Sequence, residues 1–151
     1  MEEGFEFQYD IVGPGEIDKA QELADELNIS RFVTFHGPQY GEKKLDFLFS
    51  TWGYILPSYA EGLPIAIIEA MAAGLPVLST YVGGIPDIIE EGENGLLCDP
   101  GRIDMFTKHI KKILTDTELR NHIEQQNRQK AFQFYDIDQC ARKIFNIYKS
   151  F

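Results

Sequence analysis

Residues 53–80 read GYILPSYAEGLPIAIIEAMAAGLPVLST, and the order of apolar and turn residues in this stretch decides the fold. The apolar runs 53–57 and 76–80 each predict a short strand. A helix is expected between them at about residues 64–73, because proline favours the first turn of a helix and Gly74 stands just past its end. A strand, a helix and a second strand in this order predict a βαβ unit with parallel strands.

The same alternation continues on both sides of this unit. Short apolar runs predict further strands at residues 5–11, 32–35 and 95–98. Helical spacing of apolar residues predicts helices at 17–27, closed by Asn28, at 45–49, and at 85–89, stopped by Gly92. Strands that alternate with helices form a parallel sheet covered on both faces. We therefore expect an α/β fold with a Rossmann-like parallel sheet and helices on both faces.

The last third of the chain, about residues 104–151, is predicted to be helical throughout. Thr115 and Glu118 form a capping-box pattern for a helix that begins near Thr117. A final amphipathic helix is opened by Asp136 or Asp138. The length of 151 residues suits one domain, so residues 1–151 are expected to form a single domain with these helices at its end.

Composition excludes several classes of protein. The net charge is −10, with 14 Lys and Arg against 24 Asp and Glu, which argues against nucleic-acid binding. No apolar run approaches the roughly 20 residues that span a bilayer. The start, MEEG, lacks the features of a signal peptide, so a cytoplasmic location is expected.

Cys98 and Cys140 are expected to be buried free thiols in a reducing compartment. The three histidines form no ligand pair, and no metal site is predicted.

Two glutamates with seven residues between them mark the candidate site. Glu61 lies in the loop before the helix and Glu69 lies on the helix. Gly62 lets the backbone approach a ligand closely, and the free N–H groups of residues 65–67 favour an anion such as a phosphate. Carboxylates accept hydrogen bonds from paired hydroxyls, so a nucleotide-sugar, with a polyol on each side of a diphosphate, fits this pattern. The competing interpretation is a loop glutamate placed against the helix dipole and a solvated glutamate on an apolar helix.

Loops at the carboxyl ends of the strands are where doubly wound sheets bind ligands. The predicted loops there lie at Gly13 and at residues 36–41, 58–64 and 81–86.

These motifs resemble the signature of retaining glycosyltransferase family 4. That family has a loop Glu, seven residues, then a helical Glu followed by Ala-Met-Ala-x-Gly-x-Pro-Val, which residues 61–77 reproduce. The similarity continues in residues 82–89, VGGIPDII, and 92–97, GENGLL, and upstream in residues 11–15, IVGPG, and 31–37, RFVTFHG. The resemblance implies the C-terminal, donor-binding half of a GT-B fold.

The resemblance also implies roles for individual residues. Glu61 matches the glutamate at the donor sugar, which makes it the expected catalytic residue, and Glu69 matches the one that binds the ribose hydroxyls. The backbone segment beside the diphosphate and sugar is matched by Gly62, Leu63, Pro64 and Ile65. The loop His36-Gly37-Pro38 matches one beside the nucleobase, where Tyr40 either stacks on the base or is an ordinary exposed tyrosine. No cofactor or metal is expected besides the nucleotide-diphospho-sugar substrate.

One departure from the family pattern affects the expected activity. The family carries an Arg and a nearby Lys on the first strand-loop-helix of this domain, and this chain begins at what resembles the second strand. Loss of cations that stabilise a leaving diphosphate costs several kcal/mol of barrier. We expect a fragment that lacks the first, central strand and the N-terminal acceptor domain, and that is inactive alone.

Three functions remain open from the sequence. The first is the donor domain of a retaining transferase that moves a hexose to a glycan or lipid, as in bacterial polysaccharide synthesis, with peripheral membrane association of the parent protein as one option. The second is a GT-B nucleotide-sugar epimerase. The third is a truncated, non-catalytic binding module.

Overall fold

The computed structural model describes residues 7–149, so the start MEEG, Phe5 in the first predicted strand and the last two residues lie outside the described part. The chain divides between Phe47 and Leu48 into two compact units, and each is described by itself.

The first unit contains one parallel strand pair. Strand β1 (Tyr9–Val12) pairs with β2 (Val33–Gly37), and helix α1 (Ile17–Glu26) connects them, followed by a short 3-10 turn. Asn28, with a φ of 55°, adopts the left-handed conformation just after α1, as the sequence predicts. Helix α2 (Gly41–Ser50) crosses the boundary between the units.

The second unit contains a three-stranded parallel sheet and the remaining helices. Strands β3 (Tyr54–Ile55), β4 (Val77–Thr80) and β5 (Gly95–Cys98) lie side by side in chain order. Helices α3 (Ile65–Ala72) and α4 (Ile85–Ile88) connect these strands. Three longer helices complete the unit: α5 (Ile103–Thr115), α6 (Thr117–Tyr135) and α7 (Ile137–Lys149).

Alternate residues of β4 face two separate hydrophobic clusters. Val77 packs with Ile67 and Met71 of α3 on one face of the sheet. Leu78 packs with Ile113 of α5 and Ile123 of α6 on the other face. Successive strand side chains point to opposite faces, so helices cover this sheet on both sides and the predicted α/β class is confirmed.

The strands are divided between two sheets, where the sequence predicts one. Strands β1 and β2 form a two-stranded parallel sheet, and strands β3, β4 and β5 form a separate three-stranded parallel sheet.

The structure corrects two predicted helix boundaries and decides between the two residues predicted for a third. The α6 cap is Asp116, whose carboxylate accepts a hydrogen bond from the Leu119 N–H at 2.9 Å, while Thr115 ends α5 and donates to the Lys111 carbonyl. Asp136, rather than Asp138, opens α7 by accepting from the Gln139 N–H. The predicted helix 85–89 ends at Ile88, because Ile89 is already extended.

Helix α3 shows the predicted proline start and glycine stop. Pro64 precedes it directly, and Gly74 follows it with a φ of +86°. Both cysteines are free; Cys98 is buried as expected, but Cys140 is only half-buried, which corrects that prediction. Between residues 7 and 149, none of the helices combines the length and the apolar character needed to cross a membrane.

Candidate functional site

The loop that leaves β3 is held by the end of β4. The Ser79 hydroxyl donates to the Leu56 carbonyl at 2.7 Å, and the Thr80 hydroxyl donates to the Ser58 carbonyl at 2.6 Å. Both hydroxyl residues are fully buried. These bonds give the Leu56 and Ser58 carbonyls partners on β4 and so continue the pairing of β3 beyond its two ladder residues. The start of the loop is thereby anchored to the sheet.

Glu61 is oriented by a residue of its own loop. The Ser58 hydroxyl donates to Glu61 Oε1 at 2.6 Å, and the Glu61 side chain is half-buried. A carboxylate has about four acceptor positions on its two oxygens, so Oε2 retains its capacity to accept hydrogen bonds. Neither Ser58 nor Thr80 has a role predicted from the sequence. The available signal was the pair of hydroxyl residues at the end of an otherwise apolar strand.

The loop after β4 lies directly against the Glu61 segment. The Gly84 N–H donates to the Gly62 carbonyl at 2.8 Å. A Cβ atom at Gly83 would lie 1.9 Å from the Glu61 carbonyl oxygen, and the φ of Gly83 is +53°. No side chain fits there, so glycine is required for both space and conformation. The structure thus brings together two of the four loops that the sequence places at the strand ends.

Helix α3 begins at this junction. The Ile67 N–H, one of the amides predicted to be free, donates instead to the Pro64 carbonyl at 3.0 Å. The first amides of a helix have no partner within it, which leaves those of Ile65 and Ala66 for a ligand. The side chains of Leu63 and Ile65 are exposed. The helix start is therefore open to solvent on its outer side.

Glu69 occupies the half-buried side of α3. Ile67, Ala70 and Met71 are fully buried, whereas Glu69 is only half-buried. Ile65 and Glu69 are four residues apart and share one face of the helix. Glu69 therefore lies about 6 Å along the axis from the helix start, on the face that begins with the exposed Ile65.

The predicted nucleobase loop lies in the first unit. His36 lies within β2 and not in the loop that follows it. Its Nε2 is 2.6 Å from Asp10 Oδ1, and its ring centroid is 4.5 Å from that of Phe47. The Gly13 N–H donates to the Gly37 carbonyl, so the loops after β1 and β2 meet. Tyr40 is 78% exposed, which is compatible with either interpretation made from the sequence.

The phenol of Tyr81 and the thiol of Cys98, both beside the end of β5, stay neutral at ordinary pH. Partial burial and the carboxylates of Glu91 and Asp99 raise the pKa of the Tyr81 phenol. Burial also raises the pKa of the Cys98 thiol. Over the described range 7–149, no three His, Cys, Asp or Glu side chains are grouped so that they could hold a metal ion.

Parallel strands connected by helices, with glycine-bearing loops at their carboxyl ends, define a Rossmann-like α/β protein. Residues 2–130 match the family model described as "Glycosyl transferases group 1". The chain therefore belongs to this family of glycosyltransferases.

Individual relatives agree with this assignment. The chain is 30% identical over 140 residues to an uncharacterized glycosyltransferase of Methanocaldococcus jannaschii, covering 92% of this chain and 36% of that protein. It is 29% identical over 139 residues to the N-acetyl-alpha-D-glucosaminyl L-malate synthase of Bacillus anthracis, covering 91% of this chain and 36% of that protein. The chain thus spans about a third of the length of these relatives.

A solved structure supports the fold. The Anabaena protein HepE in complex with UDP-glucose superposes with a TM-score of 0.84 at 25% identity, covering 95% of this chain and 41% of that chain. The predicted likeness to the C-terminal, Rossmann-like domain of a GT-B glycosyltransferase is confirmed, and the epimerase alternative is not favoured.

Proposed function

We propose that this chain is the donor-binding domain of a retaining family 4 glycosyltransferase, whose parent protein transfers a hexose from a nucleotide-diphospho-sugar to a glycan or lipid. The observation that carries the proposal is the anchored junction where the Glu61 loop runs into the start of α3. The Thr80 hydroxyl bonds to the beginning of this loop, and the Gly84 N–H donates to the Gly62 carbonyl in its middle. A rigid polar loop beside a helix N-terminus suits a diphosphate with a sugar attached.

The diphosphate is proposed to bind at the start of α3. The amides of Ile65 and Ala66 donate to its oxygens, and the partial positive charge of the helix terminus favours the anion. Gly62 and Leu63 contribute backbone close to the sugar, and Pro64 has no N–H to leave unsatisfied. Neutral donors of this kind need no divalent metal.

The two glutamates are proposed to bind opposite ends of the donor. Glu61, oriented by Ser58, accepts hydrogen bonds from the transferred sugar and is the catalytic residue. Glu69, one helical turn beyond Ile65, accepts from the two ribose hydroxyls. Hydrogen bonds to a charged acceptor contribute roughly 1.5–3 kcal/mol each, so either contact is measurable.

The loop with His36, Gly37 and Tyr40 is proposed to contact the nucleobase. HepE was solved with UDP-glucose, and uracil is therefore the first base to test. We further propose that the rest of the parent protein supplies the acceptor-binding domain, and that it works in the reducing cytoplasm, where free cysteines such as Cys98 persist.

A matched pair of substitutions tests the proposed phosphate site. Ile65→Pro removes one amide donor at the first helical position, where proline is tolerated, and the Pro64 ψ of 106° is compatible with a following proline. Ile65→Ala removes the side chain and keeps the amide. Calorimetry should show that Ile65→Pro weakens UDP and UDP-glucose binding more than Ile65→Ala does, with no effect of EDTA on the unsubstituted chain.

Three outcomes would contradict the proposal. Equal affinities for the two variants would place the diphosphate elsewhere, and binding that EDTA abolishes would require a metal. Unchanged affinity for every nucleotide-sugar in both Glu61 and Glu69 variants of the parent protein would favour the non-catalytic module.

A further inference from the structure

A groove on the second unit lies at the opposite end of its sheet from the proposed donor site. It has a volume of about 260 Å³ and lies where the chain enters β3 and β4, beside Trp52 and Pro76. The donor loops leave the same strands at their carboxyl ends. The groove is therefore a separate surface feature, and the function proposed above does not use it.

The groove combines an aromatic surface with a fixed cation. Phe49 and Trp52, both in its lining, are 66% and 63% exposed. The Arg120 guanidinium lies 4.9 Å from the centre of the Trp52 ring, in cation–π contact. Exposure of two large aromatic side chains at one cavity is typical of surfaces that contact a ligand.

Arg120 is held rigidly but keeps hydrogen-bonding capacity. One N–H donates to the Ile113 carbonyl at 2.6 Å and another donates to the Thr117 hydroxyl at 3.0 Å. A guanidinium has five N–H groups, so three remain. Within residues 7–149, Arg120 has no carboxylate partner at salt-bridge distance. Its positive charge is thus not neutralised by the protein, although the chain as a whole is strongly acidic.

The other charges in the groove cancel one another. Glu124 accepts hydrogen bonds from Arg128 at 3.1 and 3.3 Å. This pair closes over Gly74, where a Cβ atom would lie 2.6 Å from Arg128 Nε. The exposed amide of Asn121 adds a neutral donor and acceptor to the lining. The net charge of the groove is therefore that of Arg120.

We propose that this groove binds a small anion that carries a planar aromatic ring. The ring would stack on the exposed faces of Trp52 and Phe49, and the acidic group would accept hydrogen bonds from Arg120 and Asn121. The volume lies just below the range of about 300–1,000 Å³ that holds drug-sized ligands, and it therefore suits a single ring with one acidic group.

Trp52 is the only tryptophan in the sequence, so the tryptophan fluorescence of the chain reports on this groove. Phenyl phosphate titrated into the full 151-residue chain should change the Trp52 emission saturably. Inorganic phosphate lacks the ring and benzyl alcohol lacks the charge, so both should bind at least about tenfold more weakly. Saturating UDP-glucose should leave the phenyl phosphate titration unchanged, which separates this groove from the donor site.

Three variants test which residues of the groove bind phenyl phosphate. Asn121→Asp adds a negative charge at an exposed position and should weaken phenyl phosphate at least about tenfold without affecting folding. Arg120→Met removes the cation and should weaken it at least as much. Arg142→Met removes an exposed arginine on α7, outside the groove, and should have no effect.

Absence of a saturable emission change would overturn the proposal. Equal affinity for benzyl alcohol would also overturn it, because the ligand would then not be an anion. The same conclusion follows if the Asn121→Asp chain, with an unchanged unfolding midpoint, binds phenyl phosphate as the original does. Binding of an acidic protein segment, with no response to phenyl phosphate, would assign the groove to a macromolecule instead.

Discussion

Ser58 Oγ donates a hydrogen bond of 2.6 Å to Oε1 of Glu61, and the Ser58 carbonyl accepts one from the buried Thr80 hydroxyl. A hydroxyl at the end of β4 thus fixes the backbone of the residue that orients the loop carboxylate. The proposed catalytic carboxylate lies in an irregular loop, but a chain of two hydrogen bonds, through Ser58, links it to Thr80 of the sheet.

Removal of the Ser58 hydroxyl should impair transfer by the parent enzyme. A hydrogen bond to a charged group contributes roughly 1.5–3 kcal/mol, and half-burial of Glu61 favours the lower end, so Ser58→Ala should lower kcat/KM about tenfold. Ser58→Thr keeps the hydroxyl and should restore most of the loss. Affinity for the nucleoside diphosphate should be unchanged in both variants. An equal loss in the Ala and Thr variants would show that Ser58 does not act through this hydrogen bond.

Substitution of each glutamate by glutamine should distinguish binding of the nucleoside diphosphate from binding of the donor sugar. Glu69→Gln in the parent protein should weaken binding of the nucleoside diphosphate itself, by about tenfold or more if both ribose hydroxyls are bound. Glu61→Gln should spare the nucleoside diphosphate and weaken the intact nucleotide-sugar. Competition binding with both ligands measures these effects. If folded Glu69→Gln protein keeps its nucleoside diphosphate affinity, Glu69 has a structural role.

Gly83 should tolerate substitution far less than Gly92. Both have a positive φ, +53° and +84°, but a Cβ atom at Gly83 would overlap the Glu61 carbonyl, whereas one at Gly92 has no heavy atom within 4 Å. Gly92→Ala therefore isolates the backbone strain, on the order of 1 kcal/mol. Gly83→Ala should lower the free energy of unfolding by clearly more, as measured by denaturant titration. Similar losses in the two variants would mean that the loop at Glu61 moves aside freely.

His109 should make the protein less stable at mildly acidic pH. Burial lowers the pKa of this imidazole below its ordinary value of 6.5, so the unfolded chain binds a proton before the folded one does. As the pH falls from about 6.5 toward the folded pKa, stability is lost. The stabilising contribution is fully present above about pH 6.5.

Substitution of His109 tests this linkage. In His109→Gln, the free energy of unfolding should fall less steeply between about pH 7 and pH 5 than in the original chain. His122→Gln, at an exposed position beside Glu93, controls for the loss of a histidine as such. The comparison uses the pH slope, which a general packing defect does not change. An unchanged slope in His109→Gln would contradict the role of burial.

The sequence by itself determined the local structure and the family. Proline before α3, Gly74 after it and the apolar runs on either side act through backbone conformation and side-chain periodicity, which involve residues close together in the chain. The placement of Glu61 before the helix and Glu69 on it could be predicted for the same reason, because both residues belong to one short stretch of the chain. The cap of α6 was assigned to Thr115 rather than Asp116, because the two neighbouring residues can each cap a helix and only their positions in the fold decide between them.

The tertiary structure alone decided which of these residues touch. Thr80 reaches Ser58, and Gly83 packs on Glu61, across 22 positions in each case, because the parallel register of β3 and β4 aligns their carboxyl ends. The cation–π contact of Arg120 with Trp52 joins residues still farther apart, through the packing of α6 within the second unit. Such contacts depend on strand register and helix packing, which no local pattern encodes. The division of five strands into two sheets has the same origin, because pairing depends on which strands become neighbours in space.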